Sequence, residues 1–290
     1  MTYYGSIEAG GTKFVCAVGD GDFNVIERVS FPTTTPAETL EKVFKFFDQY
    51  DLASIGIGSF GPIDVNPKSK TYGYIMLTPK LAWQRFDFLK AVQDQYQIPV
   101  AWTTDVNAAA FGEQRLGAAQ GVDSCLYLTV GTGIGGGIIV DGKLLSGLSH
   151  PETGHILMRR HPEDDFEGSC PFHNDCLEGL AAGPAIEKRF NIAADQLDKE
   201  HVAWKFEAFY LAQAVVNYIL IVSPEKVILG GGVMNQAHLF PMIRAEVKRL
   251  MNGYVDLPDL NEFIVTPVLG NNAATMGCLM LAKEKRLQTG

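Results

Sequence analysis

The chain has 290 residues, 47% of them apolar and 20% charged, with a formal net charge of −9. That balance is ordinary for a globular protein with a core of normal size, and the length suits two domains. No Lys/Arg cluster stands out, so a nucleic-acid partner is not expected, and no run reaches 18 apolar residues, so a membrane partner is not expected either.

The chain opens MTYYGSIEAGGTKF, with neither a basic n-region nor a long apolar stretch, and does not read as a signal peptide. YYGSIEA, KFVCAVG and NVIERVSF read as strands, the last two joined by a turn at residues 20–22. In TTPAETLEKVFKFFDQY, Thr35 is placed to cap a helix, Pro36 suits its first position, and Glu38 completes a capping box. ASIGIGSFGPID is a buried strand entering a glycine-rich loop. Residues 84–97 look helical, PVAWTTD is a short strand, and VNAAAFGEQRL opens a helix just after Asp105. SCLYLTVGTGIGGGIIVDGKLLSG is strand, Gly-Thr turn, strand, Asp-Gly turn, strand. Residues 177–190 look helical, and a long apolar helix over about 203–222 ends before Pro224. EKVILGGGVM is a buried strand stopping in glycines 230–232. A helix over about 238–252, a last strand NEFIVTPV and a last helix NNAATMGCLMLAKEK follow.

Strands alternate with helices, so the class is α/β. The Gly-Thr hairpin recurs: Gly11-Thr12 and Gly131-Thr132 stand about 120 residues apart, each between apolar strands. This internal repeat predicts two related α/β domains facing each other across a cleft. The expected boundaries are 1–118 and 119–270, with the final helix, about 271–290, packing back on the first domain.

GTGIGG fits G-x-G-x-x-G through Gly131, Gly133 and Gly136, but a strand follows it where a dinucleotide fold requires a helix, which speaks against a dehydrogenase. The alternatives are hairpins without a ligand, or turns whose backbone N–H groups approach a phosphate, with Thr12 and Thr132 adding hydroxyls and Lys13 a charge. Two such turns, together with the glycines at 230–232, favour a nucleotide. A Gly133→Val change is then expected to obstruct the nucleotide and to leave the binding of any second substrate alone.

Asp105 stands at a strand end before a helix. It reads either as a helix N-cap or as a general base, kept ionised at neutral pH by the helix terminus. Cys170, His173 and Cys176 form Cys-x-x-His-x-x-Cys, with His155 fifteen residues upstream. This is a closed tetrahedral zinc set with no position left for a reactive water, although His150 and His161 compete with His155 for the fourth place. The other reading is a chance grouping. The intervening ILMRRHPEDDFEGS is charged and is expected to pack no core of its own, so the metal would pin both ends of it and hold Glu152 and Glu178 toward a substrate. Five cysteines, Cys16, Cys125, Cys170, Cys176 and Cys278, are too sparse for a disulfide framework and point to a reducing, cytoplasmic setting.

IEAGGTK, GIGSFGPID, TDVNAAAFGE, VGTGIGGGII, PETGHI, the Cys/His loop running into CLEGLAAGPAI, and ILGGGVM occur in that order over nearly the whole chain. In this the chain resembles the ROK family of sugar kinases, and within it the bacterial fructokinase branch. The resemblance implies a duplicated actin-like, hexokinase-like (ribonuclease H-like) fold and phosphorylation of a hexose, fructose favoured, by ATP with Mg2+, and it suggests a homodimer. It matches Asp105 to the catalytic base, and Glu152, His155 and Glu178 to sugar contacts, with His155 also a ligand of a structural Zn2+. Thr104 stands among the sugar contacts where many members carry Asn. Gly11, Thr12 and Lys13, with Thr132 and Gly133, match the phosphate loops; Gly231, Gly232, Val233, Met234 and Asn235 match the adenosine loop, and Pro184 the segment flanking the nucleotide. Glu8 stands where many members have Asp, which bears on how Mg2+ is held. The central histidine of Cys-x-x-His-x-x-Cys, where most members use three cysteines, is similar to the fructokinase branch. Rival readings are a glucokinase, mannokinase or broad hexokinase, and a non-catalytic sugar-sensing regulator. The regulator needs an added helix-turn-helix segment, for which a first strand beginning by about Tyr3 is expected to leave no room.

Overall fold

The structure, a computed structural model, describes residues 2–289. It divides into two compact units: Met1–Gly117, Leu144–His150 and Asn271–Gly290 form unit 1, and Ala118–Lys143 with Pro151–Gly270 form unit 2. Met1 and Gly290, the outer limits of the expected domains, lie outside the described residues. Residues 144–150, expected in the second domain, lie with unit 1.

Unit 1 runs β1 (Tyr3–Ala9), β2 (Lys13–Gly19), β3 (Val25–Pro32), α1 (Pro36–Phe47), β4 (Leu52–Ser59), β5 (Tyr74–Ile75), β6 (Phe86–Asp87), α2 (Phe88–Tyr96), β7 (Val100–Thr104) and α3 (Asp105–Leu116). Its main sheet has the order β3-β2-β1-β4-β7. β1, β2 and β3 are antiparallel, while β4 pairs parallel with β1 and β7. Thr35 caps α1 by accepting from the Glu38 N–H, and Pro36 opens the helix. The expected helix over 84–97 starts only at Phe88, because Asp87 caps it there and Phe86–Asp87 pairs with Tyr74–Ile75.

Unit 2 runs β8 (Cys125–Val130), β9 (Ile134–Val140), β10 (Lys143–Leu144), α4 (Leu177–Ala181), α5 (Gly183–Phe190), α6 (Ala203–Val222), β11 (Lys226–Gly230), α7 (Leu239–Met251), α8 (Leu260–Phe263) and β12 (Ile264–Val265). The sheet order β10-β9-β8-β11-β12 repeats that of unit 1, with an antiparallel hairpin followed by parallel strands. The expected helix over 177–190 is two helices: Pro184 has no N–H and its ring would meet the carbonyl four residues back, so Ala182 is extended between them. The strand expected from NEFIVTPV is only Ile264–Val265, since Asp259 caps a short helix over the residues before it. By length and hydropathy α6 is long enough to cross a membrane, but 56% of its apolar window is buried, with Trp204, Tyr210 and Leu211 inside the core of unit 2.

α9 (Ala273–Thr289) returns to unit 1 and lies along α3, β1 and β4. Only glycines permit this contact. A Cβ on Gly277 would sit 1.8 Å from the Ala108 carbonyl oxygen, and one on Gly56 2.0 Å from that of Cys278.

Candidate active site and metal-binding loop

β7 delivers Thr104 and Asp105 to the start of α3. The cap is Thr104: its Oγ1 accepts from the Asn107 N–H at 3.1 Å, and the side chain is buried. The expectation of a sugar contact at Thr104 therefore meets a hydroxyl already engaged in the backbone of α3. The reading of Asp105 as the cap is corrected by the same bond. Asp105 is the first helical residue, with Oδ1 accepting from the adjacent Val106 N–H at 2.9 Å. Its ionisation also departs from expectation. Burial pushes the carboxyl up to about 7 against the pull of that N–H; Glu8 adds to the rise and His150 opposes it. Loss of water outweighs the helix terminus, so Asp105 is poised near neutrality, where a general base works best. Glu8 lies on β1 opposite Gly58 of β4, and its Oε2 accepts from Thr275 on α9 at 3.2 Å. Burial raises its pKa too.

Gly11, Thr12 and Lys13 sit in the β1–β2 turn, closed by the Gly10 N–H on the Lys13 carbonyl at 3.0 Å and by the Thr33 N–H on the Thr12 carbonyl at 2.9 Å. The Lys80 side chain reaches over this turn, 3.7 Å from where a Gly11 Cβ would be. Sequence reasoning missed Lys80, which carries no motif of its own.

In unit 2 the other glycine segments converge. The Gly183 N–H at the start of α5 donates to the Gly131 carbonyl at 2.8 Å, a Gly131 Cβ would lie 3.8 Å from the Gly232 nitrogen, and one on Gly183 would lie 3.8 Å from a Val233 methyl. Thr132, Gly133, Pro184, Gly231 and Gly232 are thus brought to one place. Gly231 must be glycine, with φ of +93° and the Val130 carbonyl oxygen 2.4 Å from its missing Cβ. Asn235 is exposed beside them, whereas Val233 and Met234 are buried core residues. Gly133 has a further neighbour. A Cβ there would stand 2.7 Å from Glu178 Oε2, the same oxygen that accepts from the Ile134 N–H at 2.9 Å. The glycine makes room for a candidate sugar ligand, so a side chain there acts on Glu178.

His155, Cys170, His173 and Cys176 place one donor atom each within 4.8 Å of one another. Nδ1 of His155 lies 3.8 Å from Cys170 Sγ and 3.5 Å from Cys176 Sγ, and Nδ1 of His173 lies 3.8 Å from Cys170 Sγ. A four-coordinate ion with bonds of about 2.0 Å to nitrogen and about 2.3 Å to sulfur separates such donors by about 3.6 Å. The residues present therefore fit a tetrahedral metal ion. The competing histidines stand elsewhere: His150 belongs to unit 1, and His161 packs on Phe206 and Phe209. Glu152 precedes a 3-10 turn, Thr153–His155, and is exposed; Glu178 lies on α4, two residues after Cys176.

A sequence profile of the ROK family matches residues 4–285. The chain belongs to the ROK family. A fructokinase of Pediococcus pentosaceus is 49% identical over 279 residues, 96% of this chain and 97% of its own. A fructokinase of Streptococcus mutans is 48% identical over 287 residues, 97% of each chain. Among solved structures, a ROK hexokinase from Thermus thermophilus matches with a TM-score of 0.83 at 27% identity, covering 100% of both chains. The repeated sheets are those of the actin-like, hexokinase-like fold.

Proposed function

We propose that this chain is a fructokinase, transferring the γ-phosphoryl group of ATP to the 6-hydroxyl of D-fructose. The observation that carries the reading is near-half identity, over the whole length, to relatives named fructokinase. The likeness to a hexokinase stands at only 27%.

In the proposed reaction Asp105 accepts the proton of the sugar hydroxyl as its oxygen bonds to the γ-phosphorus and the bond to ADP breaks; the proton then leaves to water. A carboxyl pushed up to about 7 supports this role. Glu152 and Glu178 accept charge-assisted bonds from fructose hydroxyls, and His155 adds a polar contact. The turns at Gly11–Lys13 and Thr132–Gly133 bind phosphates, and Pro184 with residues 231–235 flanks the adenosine. Mg2+ bound with ATP would neutralise charge on its phosphates, and Glu8, which stands where many family members carry Asp, is the position that bears on how it is held. His155, Cys170, His173 and Cys176 would hold Zn2+, a metal suited to two thiolates and two imidazoles, and with four protein donors its role would be structural. Free thiols at all five cysteines among the described residues support a reducing, cytoplasmic setting. A homodimer is expected in light scattering.

A panel of hexoses with ATP and Mg2+ in a coupled ADP assay tests the reading. Fructose should give the highest kcat/KM; a preference for glucose or mannose would instead make this a hexokinase of the same fold, and inactivity on every sugar would favour the regulator.

A further inference from the structure

The loop between His155 and Cys170 does have packing of its own, contrary to expectation, and the packing centres on one residue. Arg189, near the end of α5, is almost fully buried. Its Nε donates to Asp164 Oδ1 at 3.1 Å and its Nη2 forms an ion pair with Asp164 Oδ2, also at 3.1 Å, with side-chain exposures of 5% and 1%. Nη2 also donates to the Leu180 carbonyl oxygen on α4 at 2.9 Å. Asp164 accepts a further bond from the Tyr210 hydroxyl at 2.6 Å, and the guanidinium lies 4.6 Å from the centre of the Phe166 ring. Glu207, fully buried on α6, has its carboxyl pushed up by burial against the pull of Arg189, and the carboxylate in direct contact with the guanidinium is Asp164.

These contacts join two things. Asp164 and Phe166 stand in the middle of the loop whose ends are metal ligands. Leu180 is in the last turn of α4, the helix that begins right after Cys176 and carries Glu178. The metal donors grip the N-terminal end of α4, and Arg189 grips its C-terminal end and the loop together. A guanidinium suits this because it reaches both carboxylate oxygens and a carbonyl at once, which an ammonium on a flexible stem does not.

We infer that Arg189 is a positioning residue for the sugar site: a second clamp, independent of the metal, that fixes the orientation of Glu178 and the course of the loop. The effect on fructose rests on the fructokinase reading; the clamp itself does not.

The test uses Arg189→Met with Asp164→Asn, which keeps the bulk and leaves no unpaired buried carboxylate. With metal content and a cooperative melt retained, the fructose KM should rise about tenfold, the scale seen when a supporting partner of a ligand is lost. kcat and the ATP KM should stay within about twofold, because only ground-state positioning is removed. Trypsin should also cut faster after Arg159 or Arg160, whatever the activity. Tyr210→Phe is the control. It loses a bond to Asp164 but leaves the Arg189–Leu180 contact, so it should lower the melting temperature without moving the fructose KM. A folded double variant with unchanged fructose KM and unchanged tryptic cleavage overturns the inference, as does one in which kcat falls while KM stays. If the parent protein ignores fructose, the fructokinase reading fails, and the cleavage rates alone still decide the clamp.

Discussion

Asp105 is the proposed general base, and its position makes two measurements informative. Asp105→Asn should keep fructose affinity and lose at least ~10²-fold in kcat, the scale of general base catalysis; near-normal turnover would remove Asp105 from the role. Its carboxyl is raised from an ordinary value of 3.8 to about 7. The base must be ionised to act, so kcat/KM should rise with pH and level off above about 7. For stability the sign is opposite. Between about 4 and 7 the folded protein keeps a proton that the unfolded chain has lost, so folding is progressively weakened as pH rises through that window. Asp105→Asn removes this penalty and should melt higher than the parent at pH 8, a difference that should vanish at pH 4. Gly133→Ala supplies a further check. Its Cβ would press on Glu178 Oε2, so the fructose KM should rise at least as much as the ATP KM. An effect on ATP alone would show that Gly133 serves the phosphate site and does not act on Glu178.

At the scale of elements, the loop that carries the candidate metal donors and the α3–α9 contact make the sharpest predictions. Cys176→Ser and Cys170→Ser should each lower metal affinity sharply, because thiolates dominate the binding, and should raise the fructose KM while the ATP KM changes little. Loss of metal with fully normal kinetics would leave the ion real but idle. Gly277→Ala forces a Cβ against the Ala108 carbonyl; overpacking of that kind costs ~1–3 kcal/mol and should shift a urea midpoint accordingly. The sequence revealed what local patterns encode: the cap at Thr35, the hairpins on either side of Gly11 and Gly131, and the Cys-x-x-His-x-x-Cys spacing. It hid what depends on residues far apart. That Gly133 faces Glu178 and that Asp164 meets Arg189 are pairings across elements, which no short window contains; that Thr104 and not Asp105 caps α3 is local, but both residue types cap helices and the pattern alone does not choose between neighbours. The burial that raises Asp105 is invisible for the same reason, since desolvation is a property of the packed unit.

At the scale of the whole molecule, two sheets of matching order, β3-β2-β1-β4-β7 and β10-β9-β8-β11-β12, carry the duplication that the Gly-Thr repeat announced. The units are not consecutive in the chain, for residues 144–150 and α9 both belong with the first. A chain ended after Gly270 should therefore leave Tyr4, Gly56 and the adjoining faces of β1 and β4 uncovered, and should aggregate or lack a cooperative melt. A soluble, cooperatively folding product would show that α9 is dispensable. The same feature bears on birth at the ribosome. Synthesis proceeds at roughly 5–20 residues per second, so on the order of ten seconds separates the emergence of α3 from that of α9. Throughout that delay the nascent first unit presents an unfinished apolar sheet to its surroundings, and holding it apart from other chains is work for chaperones that the mature enzyme never again requires.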